Sequence, residues 1–451
     1  MNDFTEGTIW KKLIIFAIPL LLSSLVQQLY NTVDLIFIGN FLGTEASSAI
    51  GASSLLITCL VGFFGGMSVS SGVVVSHEYG AGDKLKLKAA IHNSVALSLV
   101  GGALLMGIGY FFAPVYLKLV NTPLYLQEAA EGYLRIYFLS FIPIVTYNIC
   151  SGVIRALGDS KTPLYAQLWG GIANVLMDAL FLMIFKNGIN GVAWATLISQ
   201  SIAAALIVYK LTKLDRRYSL RFKDIRFDSE LSKKVIGIGV PAGTQSLVIT
   251  LSNVMAQYHI NSISVAAIAA FTAYFKVELV IYLPIVAIGQ ATMIFVGQNM
   301  GAKNFERATE CTKYCLLVGL SISVIMSALA LVFGEQLFRV FAKDHEVIKL
   351  GLNIIHITFP FYFIYVILQV LGDSLRGLGM AKPPMYIIML NICIIRTGLL
   401  FLIVPHFLDV RGVAVTYPLT WALTAVCMSI YYMNYKKKFL MGKTGIATRT
   451  E

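Results

Sequence analysis

Charged side chains are scarce in this sequence. Asp, Glu, Lys and Arg make up 13% of its 451 residues, where an ordinary soluble domain carries about a quarter, and so few solvated groups exclude a water-soluble globular protein. Acidic charge is the scarcer sign: 23 Asp and Glu stand against 35 Lys and Arg, a net charge of +12. In a soluble chain that balance would point to nucleic acid; in a polytopic membrane protein it records Lys and Arg gathered in cytoplasmic loops. Cysteine is sparse too, and Cys59, Cys150, Cys311, Cys315, Cys393 and Cys427 lie in or beside apolar runs without a metal-type pairing, so they read as small apolar fillers. His77-Glu78 has no His at position 81, which excludes a helical zinc-protease pair, and Gly442-Lys443-Thr444 lacks both the required glycine (the position holds Lys437) and a preceding strand, which excludes a phosphate loop. No enzyme activity and no bound cofactor are expected.

What the chain has is long apolar runs, each sufficient to cross ~30 Å of hydrocarbon as a helix. Twelve are counted, over 13–38, 47–75, 91–117, 128–153, 164–185, 192–211, 235–260, 265–296, 313–340, 347–375, 385–404 and 412–434. They are glycine-rich and lack the two-residue alternation of membrane strands, so the fold class is an all-α polytopic bundle. Alternate gaps differ in charge: one set, with both termini, holds 25 of the 35 basic residues, and the other holds Lys186, Lys343 and Arg411. By the positive-inside rule both termini are cytoplasmic. The first run has no convincing cleavage site and is read as a retained helix in a bacterial cell membrane.

The two halves repeat. Lys11-Lys12-Leu-Ile before Pro19 recurs as Lys233-Lys234-Val-Ile before Pro241, Gly80-Ala81 as Gly301-Ala302, Arg155-Ala-Leu-Gly158 as Arg376-Gly-Leu-Gly379, and Gly191-Val-Ala as Gly412-Val-Ala, all at an offset of 221 or 222. This predicts a six-span N-lobe (1–211), a cytoplasmic linker (212–234), a six-span C-lobe (235–434) and a cytoplasmic tail (435–451). With six spans each, the lobes are expected to be related by an axis along the membrane normal, a plan that suits alternating access.

Ionisable groups within spans are functional candidates by default: Asp34, Asp178, Glu278, Lys276, Arg396 and His356. Glu128, Glu131 and Asp373 lie near span ends, where capping or solvation accounts for them. Gln27, Tyr30 and Asp34 share a helix face, as do Asn174 and Asp178 at i and i+4, and a short gap should bring Thr196 near the level of Asp178. Two carboxylates, an amide and a hydroxyl form an all-oxygen donor set suited to a proton or Na⁺ rather than a soft metal, and the two acids leave a negative site for which proton, Na⁺ and organic cation compete. Asn174 and Thr196 equally suit interhelical hydrogen bonding. At the repeat offset these positions hold Met255 or Ala256, Ile395, Leu399 and Tyr417, so the scaffold does not demand the polar set. Pro19 interrupts the hydrogen bonding of the first span and is either a static kink or a hinge that bends when Asp34 takes its cation. Glu278 either lines a cavity for a cationic substrate or pairs with Arg396.

Together, the segments Asp34-Leu-Ile-Phe-Ile-Gly39, Glu78-Tyr-Gly-Ala-Gly82, Arg155-Ala-Leu-Gly-Asp-Ser-Lys-Thr-Pro163, Asn174-Val-Leu-Met-Asp178 and Val296-Gly-Gln-Asn-Met-Gly-Ala302 resemble the multidrug and toxic compound extrusion (MATE) family over nearly the whole chain. The resemblance implies a two-lobed secondary antiporter, monomeric in the lipid bilayer, that exports organic cations in exchange for Na⁺ or H⁺ and binds no nucleic acid. In the matching branch the cation site corresponds to Asp34, Asn174, Asp178 and Thr196, with Gln27, Tyr133 and Asn148 near the same cavity and Pro19 as the bending proline. Another branch carries a Glu in the seventh span where this chain has Ile249, which favours coupling through the first lobe. The alternative readings are a lipid-linked sugar flippase of the same bundle plan, which would call for a cavity rich in Arg and Lys, and an intramembrane aspartic enzyme, for which no motif is present.

Overall fold

The computed structural model describes residues 3–407 and 409–447. The first two residues of the expected N-lobe and 448–451 of the expected tail lie outside the described residues, as do the side chains of the 442–444 segment. Among the described residues the long apolar runs are all helical and no strand occurs, as a medium without water requires, since a helix pairs its own backbone groups. The spans are α1 (Ile9–Phe41), α2 (Gly43–Gly80), α3 (Lys84–Leu119), α4 (Leu124–Leu139 with Phe141–Ala156), α5 (Lys161–Ile184), α6 (Gly188–Thr212), α7 (Ser229–Asn261), α8 (Val265–Gly301), α9 (Phe305–Val332), α10 (His345–Gly377), α11 (Lys382–Ile403) and α12 (Val410–Lys438). Eleven are long and apolar enough to cross a membrane singly, and α4, counted as one bent span, makes twelve.

Several spans depart from plain α-helix. The two parts of α4 meet at Ser140 with a 41° bend. Pro143 explains the position: it has no N–H to give the Leu139 carbonyl, and its ring crowds that carbonyl. At the matching place in the second half, α10 passes through a one-turn 3₁₀ segment, Phe359–Phe361, around Pro360. Both α5 and α11 contain wide π turns, Leu180–Ile184 and Met389–Ile395. The ninth span ends at Val332 and not at 340, because a separate short helix, Gly334–Phe341, begins there; Gly334 allows the break to pack tightly, since a Cβ on it would sit 2.6 Å from Ile355 Cδ1. Arg339 therefore lies outside α9, with Lys343 and Lys349 lining the same recess.

The repeated landmarks have structural causes. Gly158 and Gly379, the last residues of the Arg-x-Leu-Gly motifs, adopt φ of 83° and 84°, and each is followed by a hydrogen bond that closes the helix end: Asp159 N–H to the Ile154 carbonyl at 3.2 Å and Met380 N–H to the Leu375 carbonyl at 2.9 Å. Only glycine takes that left-handed turn without a Cβ clash. Gly80 and Gly301 mark a close backbone approach: a Cβ would fall 1.9 Å from the Gln298 carbonyl oxygen in the first case and 2.0 Å from that of His77 in the second.

By packing, the chain divides into two compact units, Met1–Leu247 with Gly297–Phe305, and Val248–Val296 with Glu306–Glu451. In the first, α1 lies on α5 and α5 on α6, while the second part of α4 is surrounded by α2, α3 and α6. Its core joins Phe138, Phe141, Val145 and Ile149 of α4 to Ala113 and Leu117 of α3 and to Val192 and Ala193 of α6. In the second, Leu371 and Leu375 of α10 pack with Ile388 and Ile392 of α11 and Met428 of α12. Large apolar side chains on the outside, such as Leu104 (60% exposed) and Phe111 (75%), suit contact with lipid.

The segment between α6 and α7 is tied to the start of α3. Lys88 donates to Asp224 at 2.6 Å, the Arg221 N–H to His92 Nε2 at 3.0 Å, and the Asp228 N–H to Asn93 Oδ1 at 2.9 Å. The Lys88 ammonium holds the Asp224 carboxyl below the usual carboxylate range.

Glycine contact and glycine propensity should separate cleanly. Gly80→Ala must push backbone against backbone and is expected to lower the melting temperature by several degrees, about 1–3 kcal/mol. Gly107 has open space around its Cβ position, so Gly107→Ala should leave the melting temperature unchanged or raise it slightly. Thermal unfolding of both variants in one detergent checks the contrast.

Candidate cation-coupling site

The site in the first unit is built from α1, α4 and α5. On α5 the spacing Gln167, Gly171, Asn174, Asp178 runs along one face, and all four are buried there. At Gly171 the two helices are in contact, the Cβ position lying 3.4 Å from the ring of Tyr30. One turn beyond Tyr30, Asp34 is half-buried, and its carboxyl is close enough to that of Asp178 for direct interaction. Around the pair stand Tyr30 of α1 and Tyr133 and Tyr137 of α4, whose hydroxyls feel the Asp34 charge. The two α4 rings lie 5.8 Å apart.

The hydrogen bonding is unfinished. Asp178 is fully buried, and neither of its carboxyl oxygens has a hydrogen-bond partner; Asp34 Oδ1 and Asn174 Oδ1 are likewise buried without one. Buried acceptors are normally satisfied, and two like-charged carboxyls confined together repel. The arrangement offers several oxygen acceptors to one small cation or proton and supplies no basic side chain of its own. Among the described residues no group of three or more His, Cys, Asp or Glu could hold a metal ion, so the donor set is one of oxygens from two acids and an amide.

Not all sequence candidates join this group. Thr196 spends its hydroxyl on the Val192 carbonyl of its own helix at 3.0 Å. Asn148 donates to the Ile144 carbonyl at 2.9 Å, and its own carbonyl accepts from Ser68 at 2.6 Å. Gln27 is exposed but within reach of the Tyr30 hydroxyl, which it shares with Gln167. Pro19 is buried inside α1, which continues through it as one helix. Sequence reasoning missed Tyr137 and Gln167; each stands a whole number of turns from a named residue, Tyr137 four after Tyr133 and Gln167 seven before Asn174, and that periodicity was the available signal.

In the second unit Glu278 is held by the hydroxyls of Tyr362 and Tyr274, the latter at 3.4 Å. Arg396 does not form an ion pair with it: its guanidinium lies over the Tyr417 ring, 4.5 Å from the centroid. Lys276 and His356 are exposed, the latter bonded to the Leu352 carbonyl at 2.6 Å. Asp373 is not a solvated span-end acid: it is buried, ion-paired with Arg376 and accepting from Gln369 at 2.6 Å. Glu131 pairs with Arg135 at 2.8 Å.

The chain matches the family model described as MatE twice, over residues 19–180 and 241–402, so that both boundaries are displaced by 222 residues. It is 27% identical over 445 residues to the probable multidrug resistance protein YoeA of Bacillus subtilis (strain 168), covering 96% of each chain. Its fold is similar to solved structures of MATE in the straight conformation (TM-score 0.89, 20% identity, 96% of this chain and 98% of that one) and in the bent conformation (TM-score 0.88, 20% identity, with the same coverage). At an offset of 222, Arg396 stands opposite Asn174. At 221, the offset that the flanking landmarks Gly158/Gly379 and Gly191/Gly412 keep, the same position is Ile395.

If the carboxyl pair is the cation-binding element, binding must stabilise the folded protein by mass action. The melting temperature of the wild type should rise with at least one of Na⁺ and H⁺, by several degrees at about a hundredfold excess over the dissociation constant. Asp178→Asn should flatten that response. An unchanged response in the variant would remove Asp178 from the site.

Proposed function

Since the chain belongs to the MATE family of membrane transporters, we propose that it is a secondary active antiporter that exports organic cations in exchange for Na⁺ or H⁺ by alternating access, coupled at Asp34 and Asp178. A multidrug efflux transporter of the cell membrane is the broad reading that the curated relatives support, through names such as multidrug resistance protein and multidrug export protein. The observation that carries the finer reading is the buried Asp178, neither of whose carboxyl oxygens is hydrogen-bonded, beside the half-buried Asp34 and without a basic neighbour. In a medium that does not solvate charge, such a pair is held in check only by a proton or a cation that arrives from outside.

The mechanism follows from competition. With a coupling ion at Asp34 and Asp178, backed by Asn174, the negative charge is neutralised and an organic cation has nothing to bind; when the ion leaves, the cation can take its place among Tyr30, Tyr133 and Tyr137, whose rings suit a flat cationic substrate. The two ligands therefore exchange rather than travel together. Pro19 lies 15 residues before Asp34 in α1, and neutralisation at Asp34 changes how α1 bends at this proline. Solved MATE structures in straight and bent conformations are consistent with a helix that has two shapes. Thr196 reaches the ion only by giving up its bond to Val192. Monomeric operation, with both termini in the cytoplasm, completes the reading.

Efflux of a cationic dye from reconstituted vesicles under separate Na⁺ and H⁺ gradients tests the assignment. One of the gradients should drive wild-type efflux, and Asp34→Asn should lower the driven rate about tenfold or more, as expected for losing a charged contact. Driven efflux that survives in Asp34→Asn would overturn the coupling site.

A further inference from the structure

The second unit contains a half-buried acid and a buried base that the coupling reading does not use. Glu278 sits on α8 with its carboxylate accepting from Tyr362 and Tyr274. Arg396 sits on α11 directly after the π turn Met389–Ile395, and is 3% exposed. Among the described residues no acid lies within ion-pair distance of this guanidinium; Nε and Nη2 share one acceptor, Thr420 Oγ1, at 3.3 Å each, and Nη1 has no hydrogen bond. Glu278 is the acid whose charge reaches Arg396, without contact. Tyr417, on whose ring the guanidinium lies, is 5% exposed, and its hydroxyl has no hydrogen-bond partner. Aromatic rings close the group: Trp421 lies edge-on to Tyr362 at 4.9 Å and to Tyr365 at 5.3 Å.

A guanidinium in hydrocarbon that lacks a carboxylate, beside a tyrosine hydroxyl that lacks any partner, is an incomplete anion site. We propose that Arg396, Tyr417 and Thr420 form a carboxylate-binding subsite. Its ligand is an aromatic compound with both a carboxylate and a cationic nitrogen, the carboxylate on Arg396, the cationic end toward Glu278, and the ring among Tyr362, Tyr365 and Trp421. The planar fork of arginine, already stacked on an aromatic face, binds a carboxylate through two parallel hydrogen bonds where a lysine offers a point charge. The ring cluster supplies apolar contact and faces for offset or edge packing. Opposite charges held apart select a ligand that carries both signs, because a simple cation leaves Arg396 without a carboxylate and a simple anion leaves Glu278, hydrogen-bonded only to tyrosine hydroxyls, without a counter-charge. The proposal rests on the exporter reading and adds to it a specificity-determining residue, Arg396.

Rhodamine 6G and its free acid provide the test, since they share one fluorophore and differ by the masking of a single carboxylate. Binding is read by fluorescence polarisation on the purified full-length protein, and export of both dyes by efflux from vesicles. The wild type should bind and export the free acid. Arg396→Gln should weaken free-acid binding about tenfold or more, the usual scale for a charge-assisted hydrogen bond, and change rhodamine 6G binding by about twofold or less. Arg396→Lys should recover part of the free-acid affinity. Tyr417→Phe, which removes one hydroxyl and keeps the ring, should weaken the free acid alone and serves if Arg396→Gln does not fold. No free-acid binding by the wild type, equal loss of both dyes in Arg396→Gln or Tyr417→Phe, or no loss in either overturns the proposal. Absence of driven rhodamine 6G export by the wild type would instead count against the exporter reading, which keeps the two failures distinct.

Discussion

Hydrocarbon does not solvate charge, and the placement of every ionisable group in this protein follows from that constraint. A buried charge costs several kcal/mol unless something in the protein answers it. Three answers are visible. Asp373 is answered locally, by Arg376 three residues on and by Gln369. Glu278 is answered by phenolic hydroxyls, which donate to a carboxylate without adding a second charge. Asp34 and Asp178 face each other, so that each makes the burial of the other worse, and four acceptor atoms around them lack donors. A scaffold has no use for the third arrangement. Under the proposed function, that unanswered charge is what a coupling ion or a cationic substrate would bind.

The constraint on charge also dictates how close the helices stand. A site that must exclude water but hold a small ion needs walls at short range, and glycine supplies them. Gly171 places Tyr30 against the face of α5 that carries Asn174 and Asp178, with its Cβ position at ordinary van der Waals distance, 3.4 Å, from the Tyr30 ring. Gly102 does similar work behind the site, where a Cβ would stand 2.8 Å from Ile142 Cα in the second part of α4. Some of the span glycines, Gly80 and Gly102 among them, are thus placed by contact, while others such as Gly107 have open space around them.

Twelve spans, the repeat and the two carboxylates were legible in the sequence because each depends on something the sequence carries directly: run length, self-similarity, and a charged residue where charge is expensive. The parts that were not legible depend on local backbone geometry. The bend in α4 follows from Pro143, but nothing in the apolar run shows that the break falls at Ser140 rather than being absorbed as a kink, as it is at Pro19 in α1. The π turns in α5 and α11 have no composition signal, and each adds a residue that shifts every later side chain around the helix. Hydroxyl commitments are also invisible beforehand: Thr196 has the right position, yet its oxygen serves its own helix.

A duplicated frame with unlike contents explains why the halves could diverge. The landmarks kept in both halves, Gly158 with Gly379 and Gly80 with Gly301, are positions where backbone geometry or backbone contact admits no side chain. Each half also keeps an irregular fourth span and a fifth with a π turn. The polar residues on these spans and their neighbours are free to change sign. The first unit carries two acids and an amide, and the second one acid, one guanidinium and a wall of Tyr and Trp. The shared frame fixes backbone contacts and leaves the polar side chains free, so the same fold carries two acids in one unit and an acid with a guanidinium in the other.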